Sequence, residues 1–248
     1  MVSSFPRVVA HRGAAAAHPE NSLEAIQAAL DCRVPFVEFD VQLCADRVPI
    51  LMHDEALERL LGNPLNVLEQ PLDVLRQIDL GAGRYPGGPV RIPLLDEALA
   101  LLAEYPQVQA FVELKRHSIE RFGLDTCMQA VLDRLAGRHI VLSFVDSVVR
   151  YARQYAHPLT GWAIRTWDDD ARRTAHRLQP DYLFCNYEKV PDGDALWSGG
   201  WDWVLYEITD PDVALAWHAR GATLIESMDP GRLLADPRLA GGRLDADT

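Results

Sequence analysis

The stretch that decides the fold is Phe36-Val-Glu-Phe-Asp-Val-Gln-Leu43, followed four residues later by Val48-Pro-Ile-Leu-Met-His53. Both belong to the short β-branched runs that favour strands. A parallel neighbour would need a crossover of about a dozen residues or more, so the two runs are predicted to pair as an antiparallel hairpin. Centring the turn on Asp46-Arg47 places Asp40 opposite His53.

Strand-like runs alternate with helical stretches along the rest of the chain, which predicts βα units and a parallel sheet. The strand candidates are Arg7–His11, Phe36–Leu43, Val48–His53, Gln109–Lys115, His139–Phe144, Leu159–Ile164, Asp181–Asn186, Trp203–Ile208 and Ala222–Glu226. One of them, Val48–His53, is the return arm of the hairpin. The eight that remain predict an α/β fold, a (β/α)8 TIM barrel with a hairpin extension of its second strand.

The length of 248 residues suits one TIM barrel, so residues 1–248 are predicted to form a single domain. The segment Asp54–Arg91 breaks the regular βα period. It contains one helical stretch, Leu65–Ile78, and a turn-rich run, Gly81–Pro89. We therefore expect residues 54–91 to form a small insertion after the hairpin that lies over the barrel mouth.

The composition excludes several classes of protein. Hydrophobic residues make up 48% and charged residues 24%, which is typical of globular rather than disordered or fibrous chains. No apolar run approaches the ~18 residues of a membrane span. The net charge of −12 argues against nucleic-acid binding. The first ten residues do not resemble a signal peptide and the four cysteines form no C-x-x-C pair, so a cytoplasmic protein is expected.

Charged and titratable residues collect where the predicted strands end. Active sites of TIM barrels lie at the C-terminal ends of the strands. Side chains alternate along a strand, so Glu38 and Asp40 are predicted to face the barrel interior together, as are Glu113 and Lys115. The candidate site residues are His11, Arg12, Glu38, Asp40, His53, Glu113 and Lys115.

Three of these residues, Glu38, Asp40 and Glu113, are candidate metal ligands. Carboxylates that converge in a low-dielectric pocket repel one another unless something neutralises them. One divalent cation with a preference for oxygen, Mg²⁺ or Ca²⁺, would do so. The alternative is a structural ion-pair network with Arg12 and Lys115.

The other four residues suit phosphate chemistry. His11 and His53 titrate near neutral pH and can exchange the roles of proton donor and proton acceptor. Arg12 offers a forked donor for a phosphate and Lys115 a point charge. Together with a cation, these groups are typical of metal-assisted phosphoryl transfer or hydrolysis.

The same motifs, in this order and spacing, resemble the signature series of the glycerophosphodiester phosphodiesterases. They are His11-Arg12-Gly13, Pro19-Glu20-Asn21, Glu38-Phe39-Asp40-Val41, His53-Asp54 and Glu113-Leu114-Lys115. The resemblance implies a barrel enzyme that hydrolyses small-molecule glycerophosphodiesters to glycerol 3-phosphate and an alcohol. It also implies that His11 and His53 are the acid–base pair, that Glu38, Asp40 and Glu113 bind the metal, and that Arg12 and Lys115 hold the phosphate. Asn21 either orients the site or caps the helix that follows.

The C-terminal half departs from the family pattern. Tyr206-Glu207-Ile208 stands in place of a Trp-Thr-Val run, and Glu226-Ser227 in place of a closing Thr-Asp. These departures leave open an enzyme acting on a different diester, or a phosphate-binding barrel that has lost catalysis. A barrel aldolase with Lys115 as Schiff-base nucleophile is a further alternative, but it leaves the carboxylate cluster unexplained. The alcohol, the choice between Mg²⁺ and Ca²⁺ and the oligomeric state are not set by the sequence.

Overall fold

A computed structural model of the chain describes residues 5–135, 137–155 and 159–244. Its strands are β1 (Arg7–His11), β2 (Phe36–Leu43), β3 (Pro49–Leu51), β4 (Gln109–Leu114), β5 (Ile140–Ser143), β6 (Thr160–Ala163), β7 (Tyr182–Asn186), β8 (Asp202–Tyr206) and β9 (Leu224–Ser227). Its α-helices are α1 (Leu23–Asp31), α2 (Glu58–Leu61), α3 (Leu72–Leu75), α4 (Leu95–Ala103), α5 (Arg116–Phe122), α6 (Leu124–Leu132), α7 (Asp146–Gln154), α8 (Asp169–Leu178), α9 (Pro211–Ala219) and α10 (Pro230–Ala235). Short 3₁₀ helices span Val67–Glu69, Tyr187–Lys189 and Ala240–Gly242.

Eight of the strands close into a parallel barrel, which confirms the predicted (β/α)8 TIM barrel. Around the barrel the order is β1, β2, β4, β5, β6, β7, β8 and β9, and β9 pairs with β1 to close it. The remaining strand, β3, pairs with β2 and runs antiparallel to it. The hairpin therefore extends the second barrel strand, as its short connection requires.

The predicted register of the hairpin is wrong by one residue. Val41 pairs with Leu51, so the backbone partner of Asp40 is Met52, whose N–H donates to the Asp40 carbonyl over 3.0 Å, rather than His53. The reason is a three-residue loop, 45–47, in which Arg47 takes a left-handed φ of 61°. A loop with an odd number of residues moves the centre of the hairpin onto one residue, here Asp46.

The barrel has an apolar floor and an apolar outer layer. Val37, Phe39 and Val41 of β2 pack outward among the helices, so Glu38 and Asp40 face inward as predicted. Below these carboxylates the interior is filled by aliphatic and aromatic side chains, including Phe36 and Phe111, whose ring centroids are 5.4 Å apart. The charged residues thus form one layer above the apolar side chains that fill the bottom of the barrel.

Residues of the segment 54–91 share a hydrophobic cluster with Ile50 and Met52 of the hairpin arm, separate from the barrel core. The single helix predicted over Leu65–Ile78 is wrong. Instead, the 3₁₀ helix ends before Pro71 and α3 begins after it. Proline disfavours a helical conformation in the residue before it, and Gln70 is extended, with φ −101° and ψ 142°. No helix in the described ranges has the length and apolar character needed to cross a membrane.

Candidate active site

The turn after β1 brings Arg12 into the site. Arg12 and Gly13 both have left-handed backbone, with φ of 55° and 77°. A Cβ atom on Gly13 would lie 2.4 Å from the backbone carbonyl carbon of Ala25, so only glycine allows the chain to lie this close to α1. The Arg12 N–H consequently points inward and donates to Glu38 Oε2 over 3.0 Å.

Asn21 orients the site and does not cap α1. The cap is Ser22, whose Oγ accepts a hydrogen bond from the Ala25 N–H. Asn21 Nδ2 donates to Asp40 Oδ2 over 2.9 Å, and its Oδ1 accepts from the Asp40 N–H over 3.0 Å. This reciprocal pair fixes both the backbone and the side chain of Asp40.

The three predicted metal ligands meet in one buried cluster. Glu38, Asp40 and Glu113 each offer a carboxylate oxygen, and these oxygens lie within 4.8 Å of one another. The pairing of β2 with β4 places Asp40 directly beside Glu113. Glu38 Oε1 is buried and has no hydrogen-bond partner in the described part of the chain. An oxygen donor set with an unpartnered buried atom fits a hard divalent cation.

Two cations contact these carboxylates. Lys115 Nζ donates to Asp40 Oδ1 over 3.0 Å and to Glu113 Oε1 over 2.7 Å. Arg12 Nε forms an ion pair with Asp40 Oδ2 at 3.1 Å, without the alignment of a hydrogen bond. Arg12 Nη1 donates to Glu20 Oε1 over 3.0 Å.

The cations do not neutralise all of the carboxyl groups equally. Burial alone would raise the pKa of Asp40, but Lys115 and Arg12 overcome it and hold that pKa well below its usual range. Burial dominates at Glu38 and Glu113, and it raises the pKa of both, with Asp40 adding to the effect. At Glu38 and Glu113 the neighbouring cations therefore do not offset the cost of burying a charged carboxylate.

His11 lies at the end of β1, buried against the cluster. Its Nε2 is 3.9 Å from Glu38 Oε2, and its Nδ1 has no hydrogen-bond partner among the described residues. Burial and the neighbouring Arg12 lower the pKa of His11 to about 3. The imidazole is thus neutral at physiological pH and able to accept a proton.

His53 lies two residues after the end of β3, beside the carboxylate cluster. Its Nδ1 is 2.7 Å from Asp54 Oδ1. When that nitrogen carries the proton, the carboxylate accepts it and Nε2 of the neutral ring is left as an acceptor. Burial lowers the pKa of His53, and Asp40 opposes the shift. Asp54 fixes the orientation of the ring.

Arg59 of α2 connects the surroundings of the two histidines. Its Nε donates to Asp54 Oδ2 over 2.6 Å, and its Nη1 donates to Glu20 Oε2 over 2.9 Å. Glu20 also accepts from Arg12. Glu20 belongs to the Pro19-Glu20-Asn21 motif, but Arg59 could not be found from the sequence, because no pattern in an irregular segment ties it to Glu20, 39 positions away.

A cavity of about 310 Å³ at the C-terminal mouth of the barrel unites these groups. Six of the seven predicted site residues line it, and the seventh, Asp40, is buried beside them. The other walls are the apolar Leu142, Phe144, Ala163 and Phe184, and the polar Tyr206, Glu207 and Glu226.

The sequence profile of the Glycerophosphoryl diester phosphodiesterase family matches residues 11–224. The chain belongs to this family. The predicted resemblance is confirmed, and with it the enzyme class of a phosphoric diester hydrolase.

Two relatives show how much of the chain is shared. YhdW of Bacillus subtilis (strain 168), which carries the glycerophosphodiester phosphodiesterase name, is 28% identical over 188 residues, covering 74% of this chain and 75% of the relative. Glycerophosphodiester phosphodiesterase 1 of Homo sapiens is 28% identical over 149 residues, covering 59% of this chain and 45% of the relative. The match thus spans three quarters of the bacterial relative but less than half of the human one.

Solved structures share the barrel. A phosphodiesterase of Oleispira antarctica, in complex with the product sn-glycerol-3-phosphate, superposes with a TM-score of 0.80 at 22% identity over 93% of this chain and 96% of the other. A glycerophosphodiester phosphodiesterase of Agrobacterium tumefaciens gives a TM-score of 0.71 at 18% identity, covering 93% and 100%. At these identities the likeness shows a common fold.

The departures of this glycerophosphodiester phosphodiesterase family member face the cavity. The Tyr206 ring lies 6.5 Å from the His11 ring. Glu226 is only 3% exposed, and its Oε1 is buried with no partner in the described ranges. Burial and the neighbouring Glu113 raise the pKa of Glu226 well above its usual value, which favours the neutral form of this carboxyl group. The shift reduces the negative charge that Glu226 adds to the cavity.

Proposed function

We propose that this protein hydrolyses glycerophosphodiesters to glycerol 3-phosphate and an alcohol, in a reaction that needs one divalent cation and uses His11 and His53 as general acid and base. The observation that carries the proposal is that the imidazoles of His11 and His53 line the same cavity as the carboxylate cluster. Their neighbours differ, since His53 contacts Asp54 and His11 lies against Glu38. Proton donors and acceptors are effective when they reach the reacting oxygens directly.

Arg12 and Lys115 are the phosphate-binding groups in this proposal. Both line the cavity, and both keep N–H groups beyond those that contact carboxylates. Arginine can meet two phosphate oxygens at once, and lysine adds a compact charge. In this proposal the phosphate would bind between Arg12 and Lys115, next to the carboxylates that both residues contact.

Glu38, Asp40 and Glu113 would hold Mg²⁺ or Ca²⁺. When bound, the cation neutralises the carboxylates and withdraws charge from the phosphate oxygens. The unpartnered Glu38 oxygen and the raised pKa of Glu113 support this assignment, because one oxygen of Glu38 is left without a donor and burial outweighs the contact of Lys115 with Glu113.

The histidines move the protons. One imidazole accepts the proton of the attacking hydroxyl, which belongs either to water or to the glycerol of the substrate, and the other donates a proton to the oxygen of the departing alcohol as its bond to phosphorus breaks. When the glycerol hydroxyl attacks, water then opens the resulting cyclic phosphate. Neutral His11 accepts a proton at the ring nitrogen that does not already carry one. Asp54 holds Nδ1 of His53 and stabilises the imidazolium form when Nε2 is protonated.

Release of glycerol 3-phosphate tests the proposal. The purified protein is incubated with glycerophosphocholine or glycerophosphoethanolamine in Mg²⁺, in Ca²⁺ and in EDTA. We expect release with one of the metals and none with EDTA. Equal release in EDTA would contradict the metal requirement. A folded, metal-bound protein that releases nothing from either diester would favour a different diester or a barrel that only binds.

A cytoplasmic location is proposed on the state of the thiols. All four cysteines are free, and three of them are buried. Free thiols persist in reducing compartments. Recovery of the protein in the periplasmic or secreted fraction of its host would contradict this location.

A further inference from the structure

A second cavity adjoins the catalytic one, and we call it the basic lobe. It has a volume of about 260 Å³ and shares His53, Glu113, Lys115 and Phe144 with the catalytic cavity. Its outer wall is formed by Arg116, His117 and Arg165. These residues follow β4 and β6, so the basic lobe lies on one side of the barrel mouth.

Arg165 is the arginine of the basic lobe for which the described residues provide no acidic partner. Its guanidinium lies over the Phe144 ring at 4.6 Å from the centroid. Within the described ranges it forms no salt bridge. A stacked guanidinium keeps its N–H edge free for an anion, because the ring contacts only its face.

The neighbouring groups reinforce this charge. Arg116 pairs with Glu120 at 3.1 Å, but both side chains are exposed, and such pairs are weak. His117 Nδ1 is buried and has no hydrogen-bond partner in the part of the chain that the structure describes. A ligand oxygen in the basic lobe would find N–H donors on the guanidinium groups of Arg116 and Arg165.

The carboxylates on the wall of the basic lobe do not cancel this charge. Asp54 already accepts from His53 and Arg59. Glu113 accepts from Lys115 and belongs to the candidate metal cluster. Neither is left to pair with Arg165.

The opposite side of the mouth has the reverse character. Tyr206 is the last residue of β8, Glu207 follows it, and Glu226 lies on β9, the strand that pairs with β1. Carboxyl and phenol groups can exchange hydrogen bonds with the hydroxyls of a neutral polyol, and they offer an anion no positive charge. A diester centred between the histidines would therefore place its glycerol on this side and its alcohol in the basic lobe beside His53.

We infer that the basic lobe selects diesters whose alcohol carries its own anionic group, a carboxylate or a second phosphate, with Arg165 as the specificity-determining residue. This inference rests on the proposed function, because it assigns the alcohol half of that substrate. It places the anionic group of the alcohol against the N–H groups of the Arg165 guanidinium, while Arg12 and Lys115 bind the phosphate whose ester bond is broken.

The test compares kcat/KM for three kinds of glycerophosphodiester with the same metal. The alcohol is choline, glycerol, or an anionic alcohol (glycerol phosphate in one arm and glycolate in the other, to separate phosphate from carboxylate). The variants are Arg165→Ala and Arg165→Lys. The matched control is Arg220→Ala, which removes an arginine that also stacks on an aromatic ring, Trp217 at 3.7 Å, but lines neither cavity.

For the wild type we expect an anionic alcohol to be preferred over choline. Arg165→Ala should lower kcat/KM about tenfold for the anionic diesters and by less than about twofold for the choline diester, since one charge-assisted contact is lost. Arg165→Lys should retain most of the preference, and Arg220→Ala should change nothing. Equal losses for all diesters, or no loss, would overturn the inference.

A binding measurement separates this inference from the proposed function. Calorimetric titration of the metal-bound His11→Ala variant, with and without Arg165→Ala, reports the preference between the anionic and the choline diesters with little turnover. No hydrolysis with a preference that Arg165→Ala abolishes would refute the proposed function and keep the anion site. Hydrolysis with no preference in either assay would keep the function and refute the anion site.

Discussion

Gly13 determines where Arg12 lies, because its backbone rests against the first turn of α1. We predict that Gly13→Ala destabilises the fold by several kcal/mol and removes activity, since a Cβ would enter the backbone of Ala25. Gly62→Ala is the matched control. Gly62 has a similar φ of 66° but nothing within 4 Å of a Cβ, so it should cost only about 1 kcal/mol. Urea denaturation measures both, and equal costs would show that steric contact with α1 is unimportant.

His11 has the neutral imidazole that the proposed proton transfer requires. We predict that His11→Ala lowers kcat by about 10²–10⁴-fold, the usual contribution of a general acid or base. His176→Ala, an exposed histidine on α8, should leave kcat unchanged. Turnover of the His11 variant within a few-fold of the wild type would exclude His11 from proton transfer.

Glu226 makes the stability of the metal-free protein depend on pH. Its pKa is raised on folding, so above its unfolded value, near 4.5, the unfolded chain releases a proton that the native state retains. Its contribution is therefore fully present below that pH and is lost as the pH rises, by at most about 1.4 kcal/mol per pH unit. We predict that the free energy of unfolding of Glu226→Gln, taken relative to that of the wild type in EDTA, increases from pH 5 to pH 8. A constant difference in urea denaturation across that range would contradict the buried neutral carboxyl.

At the scale of elements, α2 acts on the site through Arg59. Removing its contacts with Asp54 and Glu20 should loosen His53 and Arg12 together, and we predict that Arg59→Met lowers kcat about tenfold, as loss of supporting contacts commonly does. The pH profile of kcat should shift as well, because Asp54, which contacts His53, loses its hydrogen bond from Arg59.

The control lies in the same segment. Arg76 donates to Glu97 over 2.7 and 2.8 Å and does not touch the site. Arg76→Met should lower the melting temperature and leave kcat and its pH profile unchanged. If both variants lose kcat alike, general packing of residues 54–91 explains the effect, and Arg59 has no positioning role.

Elements with a simple period could be predicted from the sequence, and those without one could not. Alternation in Val37-Glu-Phe-Asp-Val41 places the two carboxylates inward because the side-chain period of a strand is two. The hairpin register could not be predicted, since the left-handed conformation of Arg47 has no sequence signal in a residue other than glycine or asparagine. Arg59 reaches the site from the short helix α2 and Arg165 by stacking on Phe144, and neither follows a period.

At the scale of the whole molecule, a bound cation should stabilise the fold, because the carboxylates that would hold it come from β2 and β4 and meet only in the native barrel. We predict that Mg²⁺ or Ca²⁺ at about 100 times its dissociation constant raises the free energy of unfolding by about 2.7 kcal/mol. Glu38→Gln should abolish the gain, and Glu120→Gln, an exposed carboxylate, should preserve it. An equal gain in both variants would place the cation elsewhere.

Closure of the barrel has a consequence for how the protein is made. Strand β1 is complete only when Arg7 meets Leu224 of β9, near the other end of the chain. A ribosome therefore produces all seven proposed site residues by position 115 and the closing strand last. Throughout that interval the nascent sheet presents open edges and unshielded carboxylates, and open edges invite pairing between chains. We expect chains that stall on the ribosome before β9 is made to aggregate. Resumed translation through β9 should allow those chains to fold.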